Sequence, residues 1–107
     1  MAIHQVTIAE LKGILPGGGV LIDVREREEY EAGHIAGSTN VPISTLADNV
    51  EQFRDEFDVY VVCRSGRKSL SACEYLHDRD VDNVVNVASG VLGWVAAGGA
   101  LTSGDQP

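Results

Sequence analysis

The stretch VVCRSGRKSL, residues 61–70, carries a change from a β-strand to an α-helix within a few residues. The apolar run DVYVVC at 58–63 is typical of a buried strand, and a helix is expected to begin at about residues 67–69. Gly66 gives the short connection the freedom to curl. A curled loop that leads into a helix points backbone N–H groups inward and forms a nest for an anion. Cys63 would lie at the floor of this nest.

Outward from this stretch, strands and helices alternate along the chain. Thr7 and Glu10 predict a capping box at the start of the first helix, and Gly33 predicts the end of the second helix. Strands are expected at 3–6, 20–24, 39–41, 58–63 and 83–88. Helices are expected after residue 7 and at 26–33, 44–53, 69–80 and 91–99, and Ser44 is expected to cap the helix at 44–53. This alternation predicts an α/β fold in three layers, α/β/α, with a mostly parallel five-stranded central sheet.

The composition limits both the domain count and the class of partner. A chain of 107 residues suits one domain, 1–107, and its hydrophobic content of 44% is enough for a packed core. A formal net charge of −8 argues against nucleic acid or an anionic membrane as the main partner. No signal peptide or membrane-length apolar run is visible, so a reducing, cytoplasmic location is expected, with a flexible tail at 102–107.

The cationic residues beside the thiol run against this acidic background. The helix N-terminus and the charges near Cys63 favour the thiolate over the thiol, which would make the cysteine a nucleophile. The other interpretation is an inert, buried cysteine beside a solvated helix start. Cations at a helix N-terminus oppose the helix dipole, which favours the reactive interpretation. We expect the loop to bind an anionic substrate through Arg64, Ser65, Gly66, Arg67, Lys68 and Ser69.

Two reactions suit such a loop. A cysteine phosphatase needs an arginine six positions after the cysteine to hold the phosphoryl oxygens, but position 69 is Ser and Val62 precedes the thiol. The alternative electrophile is a sulfane sulfur, which the thiolate would take up as a persulfide and pass to a second nucleophile.

Three motifs in order resemble the rhodanese family, over about residues 4–101. LIDVREREEYEAGHIAGSTNVP at 21–42 resembles its amino-terminal signature, VVCRSGRKS its active-site loop, and SGVLGWVAAGGAL at 89–101 its carboxyl-terminal signature. The resemblance implies a rhodanese-like fold and a sulfurtransferase of sulfur metabolism, with Cys63 as the persulfide carrier. It further implies thiosulfate as the test donor and cyanide or a thiol as acceptor. Ser89 stands where the family more often has a glycine, and Arg67 makes the loop more cationic than usual.

Other reactive side chains are assigned structural roles. Cys73 lies on the apolar stripe of the following helix, too far from Cys63 for a disulfide, and core packing is expected. The two cysteines lack the spacing and the histidine partners of a zinc site, so neither a metal nor a cofactor is predicted. His34 is expected to satisfy hydrogen bonds of its loop rather than to act as a base.

Asp23 and Arg25 are expected to form a structural ion pair, with Asp23 near the rim of the site, and Trp94 to anchor the core. A solvated acidic face is predicted from Glu26, Glu28, Glu29 and Glu31.

Two functional classes remain open at this point, beside a minor one of phosphatase or arsenate chemistry. The first is an enzyme that moves sulfur from a small anionic donor to cyanide or a thiol. The second is a persulfide carrier or regulatory module that acts on a dedicated partner protein. The sequence names neither the physiological donor nor the acceptor, and a monomer is the default expectation.

Overall fold

Within residues 2–107, which the computed structural model describes, five parallel strands form one sheet in the order β1-β5-β4-β2-β3. The strands are β1 (Gln5–Val6), β2 (Val20–Asp23), β3 (Thr39–Asn40), β4 (Val59–Val62) and β5 (Val84–Val87). The α-helices are α1 (Ile8–Ile14), α2 (Arg27–Ala32), α3 (Arg67–His77) and α4 (Gly90–Ala96), and 3-10 turns cover Leu15–Gly17, Ile43–Asp48 and Val50–Phe53. The predicted parallel α/β sheet is confirmed.

The central strand β4 separates two apolar clusters. Val61 and Leu76 belong to the cluster under α3, whereas Val62, Leu11 and Val91 belong to the cluster under α1 and α4. Successive side chains of a strand point to opposite faces, so β4 supplies both layers. Helices therefore cover both faces of the sheet, which confirms the three-layer prediction.

The parallel register brings the carboxyl ends of the inner strands to one edge. Asp23 of β2 pairs with Val62 of β4, and Val61 pairs with Asn86 of β5. Ligands of open parallel sheets bind beyond such carboxyl ends. The residues that follow β2 and β4 therefore share one rim.

Helix starts follow the local sequence. Thr7 caps α1 through a capping box, in which its hydroxyl accepts from Glu10 N at 3.1 Å and the Glu10 carboxylate accepts from Thr7 N at 2.9 Å. Helix α2 ends at Gly33, as predicted.

The single helix predicted over 44–53 is wrong, because two 3-10 segments occupy this region and Ser44 caps neither. The polar side chains bond the backbone locally, with Thr45 Oγ1 donating to Pro42 O at 2.8 Å and Asn49 Nδ2 donating to Thr45 O at 2.9 Å. Such bonds compete with regular helix formation. Ser44 instead donates its hydroxyl to the Glu26 carboxylate.

The last residues lie against the end of α2. Thr102 pairs with His34 in an isolated antiparallel bridge, and Gly104 N donates to Glu31 O at 2.8 Å. His34 Nε2 lies 2.7 Å from Gln106 O.

Among residues 2–107, no helix is both long and apolar enough to span a bilayer.

Candidate active site

Cys63 follows β4 directly and lies at the base of a pocket of about 440 Å³. The residue is only 3% exposed and is one of those that line the pocket. Its carbonyl accepts a hydrogen bond from Val91 N at 2.9 Å, which ties the strand end to the first turn of α4. The site is therefore fixed from two sides, by the strand before it and by the helix across from it.

Three donors converge on the Cys63 sulfur. Gly66 N lies 3.1 Å from Sγ, Ser69 N 3.3 Å and Ser69 Oγ 3.2 Å. Burial raises the pKa of the Cys63 thiol, whereas the hydrogen bonds from Ser69, Gly66 and Ser65 lower it, and the pKa lies below its ordinary value. The predicted nest of inward-pointing N–H groups is thus present, with a hydroxyl added to it.

Two glycines permit the curl of the loop. Gly66 has φ +94°, in the left-handed region, and a Cβ there would lie 3.0 Å from Ser89 N. Gly90 has φ +57°, and a Cβ there would lie 2.4 Å from Cys63 O. Gly90 lies in the carboxyl-terminal signature, and its lack of a side chain lets the start of α4 pack against the backbone of the loop. Its role in the site was not predicted from the sequence.

The cationic side chains of the loop surround the pocket without contacting the sulfur. Arg64, Arg67 and Lys68 line the pocket and are exposed, and none of the ion pairs found in residues 2–107 involves them. The donors that contact Sγ are instead backbone amides and the Ser69 hydroxyl. The charges of this cluster are consequently available to an incoming anion. Ser65 lines the pocket as well.

Gly66 and Ser69, for which the sequence predicts substrate binding, lie behind the sulfur. Both are buried and neither lines the pocket. The structure places them as donors to Cys63 rather than at the pocket wall.

The lining of the pocket is partly acidic as well. Glu26 and Glu29 line it together with Arg25. The Glu26 carboxylate is held by Ser44, whose hydroxyl donates to Oε1 at 2.7 Å. The sequence predicted only a solvated acidic face for these glutamates. The order of the elements could have predicted their place in the pocket, because α2 begins just after β2, at the same rim as Cys63.

Asp23 and Arg25 form the predicted ion pair, with Nη2 2.8 Å from Oδ2. Arg25 Nη2 also donates to Gly33 O at 2.7 Å, so this arginine ties the end of β2 to the end of α2. Asp23 is fully buried and does not reach the pocket, whereas Arg25 does.

The remaining reactive side chains serve the fold. His34 is fully buried, stacks on Tyr30 with ring centroids 3.7 Å apart, and bonds Tyr30 O through Nδ1 at 2.7 Å. Cys73 is fully buried in the core under α3, and burial raises the pKa of its thiol to about 12. Trp94 is partly buried against the α1 and α4 cluster and donates Nε1–H to Ala100 O at 2.9 Å.

Within residues 2–107, no group of three or more His, Cys, Asp or Glu is placed to hold a metal ion.

Comparison with known proteins gives one consistent result. Residues 7–97 match the family described as the Rhodanese-like domain. A putative sulfur carrier protein, YrkF of Bacillus subtilis, is 32% identical over 69% of this chain and 40% of its own length. The thiosulfate sulfurtransferase GlpE of Pseudomonas entomophila is 34% identical over 72% of this chain and 71% of its own length.

Solved structures agree with this match. A rhodanese-related protein from Thermoplasma volcanium superposes with a TM-score of 0.84 at 29% identity, covering 92% of this chain and 97% of that one. A rhodanese-like domain protein from Staphylococcus aureus superposes with a TM-score of 0.79 at 33% identity, covering 86% and 91%. Several of the curated relatives are longer proteins, since the chain spans 40%, 59% and 42% of three of them.

Proposed function

This chain belongs to the rhodanese-like domain family, and on that premise we propose that it is a sulfurtransferase that carries sulfur on Cys63 as a persulfide. The observation that carries the proposal is the buried sulfur at the pocket base with three hydrogen-bond donors directed at it. A thiolate held in this way is a preformed nucleophile.

The proposed cycle has two displacements. In the first, the Cys63 thiolate attacks the outer sulfur of thiosulfate, an Sγ–S bond forms, and the S–S bond of the donor breaks to release sulfite. In the second, cyanide or a thiolate attacks the outer sulfur of the persulfide, the Sγ–S bond breaks, and the Cys63 thiolate returns. No other redox partner or cofactor is needed, because each bond formed replaces one broken.

The charges of the loop support an anionic donor. Arg64, Arg67 and Lys68 line the pocket, and none of the ion pairs in the described part of the chain involves them. Their attraction for a dianion is screened by salt, because all three side chains are exposed. Ser at position 69 in place of an arginine argues against phosphoryl transfer.

Steady-state kinetics test this proposal. With thiosulfate and cyanide varied together, double-reciprocal plots should be parallel, as a ping-pong cycle through a covalent enzyme requires. Turnover should disappear in Cys63→Ser and persist in Cys73→Ser, which removes the other thiol. Intersecting plots, or turnover in Cys63→Ser, would contradict the proposal.

A second candidate, a persulfide carrier that serves a partner protein, is favoured by one specific observation. The pocket holds about 440 Å³, far more than thiosulfate fills, and Glu26 and Glu29 on its wall repel a small dianion. A relative named as a sulfur carrier points the same way. Because these carboxylates repel a dianion whichever donor is physiological, Glu26→Gln with Glu29→Gln should raise turnover of thiosulfate. Slower transfer to or from a protein persulfide in the same variant would favour the carrier, whereas unchanged transfer would count against it.

A further inference from the structure

The hydroxyl of Ser69 faces two acceptors with a single proton. Its oxygen lies 3.2 Å from Cys63 Sγ and 2.5 Å from Asn86 Oδ1. A serine hydroxyl donates one hydrogen bond at a time. It therefore serves either the sulfur or the amide oxygen.

The orientation of the Asn86 amide is fixed by its other contacts. Asn86 Nδ2 lies 3.1 Å from Gly66 O and 2.9 Å from Gln5 Oε1. Because a backbone carbonyl can only accept, the NH₂ group must face Gly66 and the carbonyl oxygen must face Ser69. Asn86 is 1% exposed, so water does not replace a lost partner of Oδ1. No other donor in residues 2–107 contacts this oxygen.

We propose that Asn86 is a positioning residue that regulates the nucleophile by competing with the Cys63 sulfur for the Ser69 hydroxyl proton. When Cys63 is a thiolate, the hydroxyl donates to Sγ and Asn86 Oδ1 is left without a donor. When Cys63 is a thiol, the hydroxyl turns to Oδ1, and Ser69 Oγ can accept the S–H. Only a rotation of the hydroxyl separates the two states, and no proton leaves Ser69.

The competition has a defined direction. An unpaired buried carbonyl oxygen is costly, so Asn86 weakens the net stabilisation that Ser69 gives to the thiolate. Resting on the proposed function, the same reasoning extends to the persulfide. There the negative charge lies on the outer sulfur, so the hydroxyl returns to Oδ1. Asn86 thus favours the sulfur-loaded form over the free thiolate. It also keeps the free thiolate a stronger nucleophile than it would be if the Ser69 hydroxyl donated to the sulfur alone.

A double-mutant cycle tests the competition without any sulfur donor. The four proteins are the wild type, Ser69→Ala, Asn86→Leu and the double variant, and the readout is the Cys63 thiol pKa from thiolate absorbance against pH. Asn86→Leu keeps the branched shape and the number of side-chain heavy atoms but removes the competing acceptor. We expect the factor by which Ser69→Ala decreases the acid dissociation constant of the Cys63 thiol to be about three times larger in the Asn86→Leu background than in the wild type, because there the hydroxyl serves the sulfur alone.

Equal effects of Ser69→Ala in the two backgrounds would overturn the inference. A purely structural Asn86, which only holds the loop through Gly66 O, predicts this equality, since loosening of the loop acts in both backgrounds. Circular dichroism checks that the variants fold. The double-mutant cycle measures only the thiol pKa. A failure of persulfide formation would therefore overturn the proposed function and leave the competition for the Ser69 proton standing.

If Asn86→Leu does not fold, the wild type itself provides the test. With asparagine labelled at ¹³Cγ, the Asn86 carbonyl resonance should shift as Cys63 titrates, because its hydrogen bond is lost in the thiolate. In Ser69→Ala this shift should be strongly reduced. A resonance that does not titrate, or a shift of equal size in Ser69→Ala, would contradict the proposal.

Discussion

Replacement of Gly90 by alanine tests how the first turn of α4 holds the reactive loop. The added Cβ would lie 2.4 Å from Cys63 O and 2.5 Å from Arg64 O, and both are backbone atoms. These two carbonyls also accept the hydrogen bonds of Val91 N at 2.9 Å and Leu92 N at 3.0 Å. The clash therefore cannot be relieved by a side-chain rotation, and the helix and the loop must separate.

Two costs add in the Gly90→Ala variant. Alanine at φ +57° costs about 1–2 kcal/mol for its left-handed conformation. Overpacking against fixed backbone adds about 1–3 kcal/mol. The expected loss in the free energy of unfolding is thus about 2–5 kcal/mol. Because the carbonyl that must retreat belongs to Cys63 itself, Sγ should lose alignment with Gly66 N and Ser69 N, and turnover should fall tenfold or more.

Gly98→Ala is the matched control. Gly98 also has a left-handed φ, +85°, but no atom lies within 4 Å of the position of its Cβ. Urea unfolding of this variant should show only the conformational cost, with thiol pKa and turnover unchanged. Gly90→Ala should unfold at a clearly lower urea concentration, with a higher thiol pKa. The reasoning would be refuted if the two variants matched each other in stability and in thiol pKa.

Three further predictions concern single side chains. Ser69→Ala removes one of the three donors to Cys63, so the thiol pKa should rise and the ascending limb of the pH–rate profile should move to higher pH. The control variant Ser71→Ala, at an exposed position, should leave this limb in place. An unmoved limb in Ser69→Ala would count against the hydrogen bond. Cys73, whose thiol pKa burial raises to about 12, should stay unmodified by iodoacetamide in the folded protein near neutral pH, and a second adduct by mass spectrometry would contradict this. Ser89→Gly should increase the free energy of unfolding by up to about 1 kcal/mol, because Ser89 has φ +70°; a decrease measured in urea would show that Ser89 is not strained.

The parts of the fold that follow from local pattern could be predicted. The apolar runs at 20–24, 58–63 and 83–88 predicted the central strands because buried parallel strands need apolar side chains on both faces. The position of Cys63 at a strand end followed from the same runs. The helix predicted over 44–53 failed because Thr45 and Asn49 bond their own backbone, which helical spacing does not reveal.

The parts of the site that depend on contacts between distant segments could not be predicted. Asn86 lies inside the run VVNV, where a polar residue has no partner visible in the sequence, and its contacts reach Gly66, Ser69 and Gln5. Glu26 belongs to the pocket only because α2 starts at the same rim as the loop. Such pairings are set by sheet order, which alternation alone leaves open.

Intact-mass spectrometry after treatment with thiosulfate tests the central claim most directly. The wild type and Cys73→Ser should each gain the mass of one sulfur atom under non-reducing conditions, and cyanide should remove it. Cys63→Ser should gain nothing. The absence of the adduct on the wild type, or its persistence in Cys63→Ser, would contradict a cycle through a Cys63 persulfide.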